Sequence, residues 1–171
     1  DIHSHLEHWP RIRRWLLAEQ TKLRQSGSTV VTLDIGDAMD RVHPLTEATD
    51  GRANVALFNQ IGYDAVTIGN NEGIGNSQEQ LNQLYDQANF DVVLANLRDR
   101  KTKQPPKWAL RTKIITTAAG TRMALFGLTA PYISTYRPNG WEPELAQQVL
   151  PELLAELAGK ADVLVLLSHL G

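Results

Sequence analysis

Apolar residues in this chain change period from helical to alternating and back again. From Trp9 to Arg24, Ile12, Trp15, Leu16 and Leu23 keep near-helical spacing, while Arg11, Arg13, Arg14, Lys22 and Arg24 take the other side. This predicts an amphipathic helix with a solvated basic face. Pro10 sits near the first turn, where a missing N–H costs little, and Ser26-Gly27-Ser28 ends the helix. The β-branched run Thr29-Val30-Val31-Thr32-Leu33 predicts a buried strand. Ala53 to Ile61 predicts a short helix closed by Gly62 as a left-handed cap, followed by a strand from Tyr63 to Ile68. Ser77 to Ala88 predicts a helix opened by a Ser77/Gln80 capping box, and Asp91 to Ala95 a further strand ending at Asn96.

The second half is more broken. Arg98 to Lys107, with Pro105-Pro106, predicts an exposed connection. Trp108 to Thr117 and Thr121 to Leu128 predict an antiparallel hairpin about Ala118-Ala119-Gly120. Thr129 to Trp141 predicts a loop, and Glu144 to Leu157 a helix that Pro151 must kink or restart. Asp162 to Leu167 predicts a strongly apolar strand. Strands alternating with helices predict an α/β fold, and the hairpin makes its sheet mixed.

Polar residues gather where the strands stop. Leu33 leads into Asp34-Ile35-Gly36-Asp37-Ala38-Met39-Asp40-Arg41, Ile68 into Gly69-Asn70-Asn71-Glu72-Gly73, and Leu167 into Ser168-His169-Leu170-Gly171. Ligands in open α/β sheets bind at the carboxyl ends of strands. Gly36 can turn the chain and leave the Asp37 carboxylate at a strand tip, where it could bridge two hard cations. The same residues also fit a polar turn in which Asp34 or Asp37 caps the next element. At the start, Asp1 and His3 alternate, so an extended backbone would point both to one side. His5 and His8 fit a solvated polar terminus or a supporting position.

Composition narrows the chemistry. The 171 residues fit one domain with a sizeable core, and a net charge of -2 gives no basic footprint for nucleic acid. No apolar run suits a membrane span, and no signal-peptide pattern is visible. Without cysteine there are no disulfides, no thiolate catalysis and no Cys-ligated zinc. If the parallel tips meet, they supply Asp1, His3, Asp37, Asn70 and His169. This sulfur-free O/N set suits Mn²⁺, Fe or Zn²⁺ better than Ca²⁺. No Gly-x-Gly-x-x-Gly follows a strand and no Gly-x-Ser-x-Gly elbow occurs, so dinucleotide redox and serine hydrolysis lack support.

Asp1-x-His3, Gly36-Asp37-x-x-Asp40-Arg41, Gly69-Asn70-x-Glu72 and Ser168-His169-Leu170-Gly171, in this order, resemble the calcineurin-like metallophosphoesterases. Gly62-Tyr63-Asp64-Ala65-Val66-Thr67-Ile68-Gly69-Asn70 is similar to their bacterial 5′-nucleotidase/UDP-sugar hydrolase branch. The resemblance implies a four-layer α/β/β/α sandwich with mixed sheets. It implies two divalent metal ions (Mn, Zn or Fe), the first held by Asp1 and His3, the second by Asn70 and His169, with Asp37 between them. A bridging hydroxide would attack a phosphorylated small molecule such as a nucleotide. Arg41 matches the phosphate-binding arginine of the serine/threonine phosphatase branch; a structural ion pair with Asp40 is the other reading.

Two departures matter. The family has a catalytic histidine where Asn71 stands, and an amide is no general acid near neutral pH. The resemblance then leaves His43 or His5 as proton donors, or a preference for good leaving groups. Second, the family's first strand should precede Asp1 and its Gly-His-x-His segment should follow Gly171. Residues 1–171 are therefore expected to be one catalytic domain cut at both ends, poorly active alone, whose parent carries a C-terminal substrate domain. A non-catalytic metal- or nucleotide-binding module that keeps the fold is the alternative.

Overall fold

The computed structural model describes residues 1–73 and 76–170. In chain order, the elements that place the site begin with α1 (Trp9–Gln25), β1 (Leu33–Asp34), α2 (Pro44–Ala48), α3 (Arg52–Phe58) and β2 (Ala65–Val66). Then come α4 (Asn70–Gly73), α5 (Gln78–Tyr85), β3 (Asp91–Val93), β4 (Leu97–Asp99), β5 (Ala109–Leu110), β6 (Lys113–Thr116) and β7 (Arg122–Thr129). The chain continues through α6 (Ile133–Tyr136), β8 (Trp141–Pro143), α7 (Ala146–Leu157) and β9 (Val163–His169).

One sheet has the order β1-β2-β3-β5, all parallel, with Leu33 opposite Ala65 and Val66 opposite Val92. A second has the order β6-β7-β9, antiparallel between β6 and β7 and parallel between β7 and β9. Strand side chains alternate faces, and that alternation builds the layers. Val66 and Val92 face a core shared with Trp9, Phe58, Leu81 and Leu84 of α1, α3 and α5. Their neighbours Ala65 and Val93 face the other way, onto Leu125 and Leu167 of the second sheet. The far side of that sheet, with Ala124 and Phe126, is covered by Val149, Leu153 and Leu157 of α7. The layers are therefore helix, sheet, sheet, helix. Among the described residues no helix is long and apolar enough to cross a membrane.

Several elements differ from the sequence reading. The first strand pairs only at Leu33–Asp34; before it, Thr32 N donates to the Asp64 carboxylate (2.7 Å), so a side chain replaces a ladder partner. Trp108 to Thr117 is not one strand. Ala109–Leu110 joins the first sheet, and only Lys113–Thr116 forms the hairpin with β7. The expected loops around Arg98 and Trp141 contain a short antiparallel pair, β4 with β8, held by Arg98 Nε on Glu144 (2.8 Å). Pro151 starts no new helix: α7 is continuous, with Val149 and Leu153 buried and Pro151 facing solvent. The carbonyl left without its partner belongs to Gln147, an exposed residue. The Ser77/Gln80 capping box is present, and Gly62 is left-handed at φ 74°. The last strand runs on to His169, opposite Thr129.

Candidate metal centre

Two glycines bring the first two strand tips together. Gly36 has a φ of 95°, and a Cβ there would run into the backbone of Ile68 and Gly69. A Cβ on Gly69 would run into Asp37. Only hydrogen at both positions allows the loops after β1 and β2 to touch. Asp37 follows with a left-handed φ of 51°. Its buried carboxylate accepts the Asn71 amide at Oδ1 (2.8 Å), which leaves Oδ2 facing two imidazoles.

Those imidazoles are His169 and His3, each with Nε2 near Asp37 Oδ2, at 3.4 and 3.6 Å. His169 Nδ1 lies 2.9 Å from the Ile35 carbonyl, which can only accept, so Nδ1 carries the proton in the neutral ring. Its Nε2 lone pair is thereby aimed at Asp37 and at Asn70 Oδ1, 3.3 Å away. His3 Nε2 is also 3.6 Å from Asp1 Oδ1. Ligand atoms of Asp1, Asp37 and His169 all lie within 4.8 Å of one another. Carboxylates this close repel unless a cation or proton sits between them. The donor set is mixed oxygen and nitrogen, a composition that suits Mn²⁺, Fe or Zn²⁺. Asp1, His3, Asp37, Asn70 and His169 are thus brought to one place by four separate segments.

The backbone at the first of these segments is not extended as the alternation of Asp1 and His3 suggests. His3 and Ser4 are left-handed, at φ 46° and 53°. Their amides donate to the Asp37 and Ala38 carbonyls (2.9 and 3.2 Å), so the chain turns against the Asp37 loop and the side chains meet through that turn.

Of the other sequence candidates, Asn71 touches this cluster and His43, His5 and Arg41 make their contacts elsewhere. His43 caps α2, with Nδ1 accepting the Leu45 amide (3.2 Å). His5 pairs with Glu7 (3.0 Å) and stacks on His8 at the surface. Arg41 does not pair with Asp40. Its guanidinium donates to Asn76 Oδ1 (2.6 Å) and lies 3.4 and 3.6 Å from the carboxylates of Asp50 and Glu47. Asp40 instead accepts the Val42 amide, an i to i+2 turn that needs no partner from outside. Asn71 reaches His3 Nδ1 with its Nδ2 (2.8 Å). Gly171 of the last motif lies outside the described residues.

Glu72, which the sequence motif includes without a role, is the residue that joins the two loops. It is buried, and its carboxylate accepts amides from Gly69 (2.8 Å), Asp37 (3.1 Å), Ala38 (2.8 Å) and Met39 (3.3 Å). It therefore ties the two loops to each other. Burial and the neighbouring Asp37 charge push its pKa up to about 7, against the pull of its backbone bonds. Asp34, accepting the Gly36 amide (2.9 Å), is also pushed upward by burial. In the sequence only its place in the Gly-Asn-x-Glu motif marks Glu72, because a carboxylate in a polar turn otherwise looks solvated.

No protein-family model matches the chain. It is 41% identical, over its full length, to the uncharacterized metallophosphoesterase YunD of Bacillus subtilis, of which it covers 37%. It is 27% identical over 98% of its length to a 5′-nucleotidase of Vibrio parahaemolyticus, of which it covers 30%. The chain thus spans about a third of the length of these curated relatives. Among solved structures, the calcineurin-like phosphoesterase YfkN of Bacillus subtilis superposes with a TM-score of 0.66 at 19% identity, over 93% of this chain and 53% of that one. The four-layer fold, the order of the strand-tip motifs and these relatives agree: the chain belongs to the metallophosphoesterases, with the fold of the calcineurin-like phosphoesterase YfkN and a more distant similarity to bacterial 5′-nucleotidases.

Proposed function

We propose that these residues form the catalytic centre of a phosphoester or phosphoanhydride hydrolase that uses two divalent cations. The observation that supports this reading is the meeting of Asp1, His3, Asp37, Asn70 and His169 where strand ends of the two sheets come together. In this reading Asp1 and His3 hold one cation, Asn70 and His169 the other, and Asp37 lies between. Divalent cations in such a set polarise phosphoryl oxygens and make water more acidic.

The chain's own groups have separable tasks. The Asn71 amide fixes Asp37 Oδ1, so Oδ2 stays turned toward the imidazoles. The Ile35 carbonyl fixes the His169 tautomer. Glu72 fixes the two loops that carry Asp37 and Asn70. Arg41, held by Asn76 and the Asp50 and Glu47 carboxylates, would have to leave those acids to meet a phosphoryl oxygen. Relatives named 5′-nucleotidase point to nucleotides as the substrate class.

The test is hydrolysis of nucleoside monophosphates, UDP-sugars and aryl phosphates by the full-length protein, before and after chelation and Mn²⁺ return, beside Asp37→Asn. Turnover that needs Mn²⁺ and vanishes in the variant is the expected result. Turnover that survives chelation, or persists in Asp37→Asn, overturns the reading.

A further inference from the structure

Beneath the cluster, Ser4, Thr46 and Asn54 form a closed ring of hydrogen bonds that the proposed chemistry does not use. All three are almost inaccessible, at 1, 1 and 2% exposure. Asn54 Nδ2 faces the Ala38 carbonyl (3.3 Å), an acceptor only, and this fixes which end of the amide is nitrogen. The single Thr46 hydroxyl proton goes to Asn54 Oδ1 (2.9 Å). Ser4 must then donate to Thr46 Oγ1 (2.8 Å), and Asn54 Nδ2 returns the circle to Ser4 Oγ (3.1 Å). Every bond runs in the same sense, an arrangement in which each bond polarises the next. Ser4 Oγ also accepts the Asp40 amide (2.7 Å), which completes its hydrogen-bonding capacity.

The ring joins the two segments whose separation decides whether the donors meet. On one side is the turn through His3 and Ser4; on the other are Asp37, Ala38 and Asp40. His3, Ser4 and Asp37 are all left-handed, and non-glycine residues keep that conformation only where their surroundings dictate it. We propose that Ser4, Thr46 and Asn54 are positioning residues that set the spacing of Asp1 and His3 from Asp37. The inference rests on the metal reading given above. Thr46 lies in α2 and Asn54 in α3, and neither is a donor, so their substitution leaves the donors themselves intact.

The experiment is titration of the full-length protein with Mn²⁺, with free Mn²⁺ followed by electron paramagnetic resonance. Thr46→Val removes the hydroxyl at constant shape, Thr46→Ser retains it, and Asn54→Asp removes the donor that closes the ring. Leu153→Ala, in the separate core under α7, controls for lost stability. Thr46→Val and Asn54→Asp should each weaken Mn²⁺ binding about tenfold or more while Thr46→Ser stays within about twofold of wild type. Leu153→Ala should lower the melting temperature and bind Mn²⁺ as wild type does. Wild-type affinity in a folded Thr46→Val chain, or equal weakening by Leu153→Ala, overturns the proposal. Failure of both Thr46→Val and Asn54→Asp to fold assigns the ring to stability and also overturns it. A wild-type protein that takes up no Mn²⁺ overturns the metal reading first, and the ring's role with it.

Discussion

The Asn71 side-chain amide lies 2.8 Å from His3 Nδ1, so the residue standing where the resemblance implies a catalytic histidine is engaged with the His3 ring. A carboxamide so placed steadies an imidazole but gives up no proton to a departing oxygen near neutral pH.

The rate on aryl phosphates should therefore fall steeply as the leaving-group pKa rises. Asn71→His should flatten that dependence and raise turnover on poor leaving groups by about a hundredfold. A Brønsted series on both proteins measures this. Equal slopes for the two would remove the argument.

Glu72 accepts amides from both strand-tip loops inside the core. Glu72→Ala leaves buried N–H groups without partners, at a cost of about 1–3 kcal/mol for each. Urea denaturation in the presence of chelator should show a drop of several such increments. Glu72→Gln, which keeps one acceptor, should lie between the two.

Gly36 combines a left-handed φ of 95° with backbone where a Cβ would go. Gly36→Ala should destabilise the chain by about 2–4 kcal/mol and weaken cation binding together, because the Asp37 loop must back away from Gly69. Gly120 is left-handed too, at φ 84°, but has nothing near its Cβ position. Gly120→Ala should carry only the conformational part of that cost. Chemical denaturation of the two variants side by side separates crowding from conformation.

Asp162 accepts three bonds from Arg122: Oδ1 from Nη2 (2.8 Å), and Oδ2 from the backbone amide (2.8 Å) and from Nε (3.3 Å). These hold its carboxyl down at about 2, below its ordinary 3.8. A depressed carboxylate stabilises the fold once it is ionised in the unfolded chain as well. The contribution is therefore full above about pH 4 and fades as pH falls towards 2. The gap in urea midpoint between wild type and Asp162→Asn should follow that course. A gap that stays constant down to pH 2 would show that the ion pair adds nothing pH-dependent at the start of β9.

The donors at the strand tips are legible in the sequence for a physical reason. Asp37, Asn70 and His169 each follow an apolar run; β1 and β2, parallel neighbours, deliver the first two to one edge, and β9 brings His169 from the second sheet. The layering follows from strands whose two faces are both apolar, as at Ala65–Val66 and Val92–Val93. What escapes is decided by partners remote in sequence. Glu72 reads as a turn acid until Asp37 and Ala38 close over it. Asp40 is Arg41's neighbour in sequence, yet the guanidinium turns to Asn76 and Asp50. The turn at His3 and Ser4 goes against intrinsic backbone preference and is held by carbonyls more than thirty positions away. Pro151 shows the converse, since a local rule yields where the cost falls on solvated backbone.

β9 carries His169 to Ile35, a partner 134 positions back along the chain. Four of the five donors thus lie within the first 70 residues, and the fifth, His169, joins them only after the second sheet has docked on the first. A nascent chain can gather Asp1, His3 and Asp37 yet still lack the imidazole that completes the set. In the two-cation reading proposed above, a cation held by the completed set would draw the equilibrium toward the closed sandwich by mass action. Chelators should accordingly loosen β9 before any other strand.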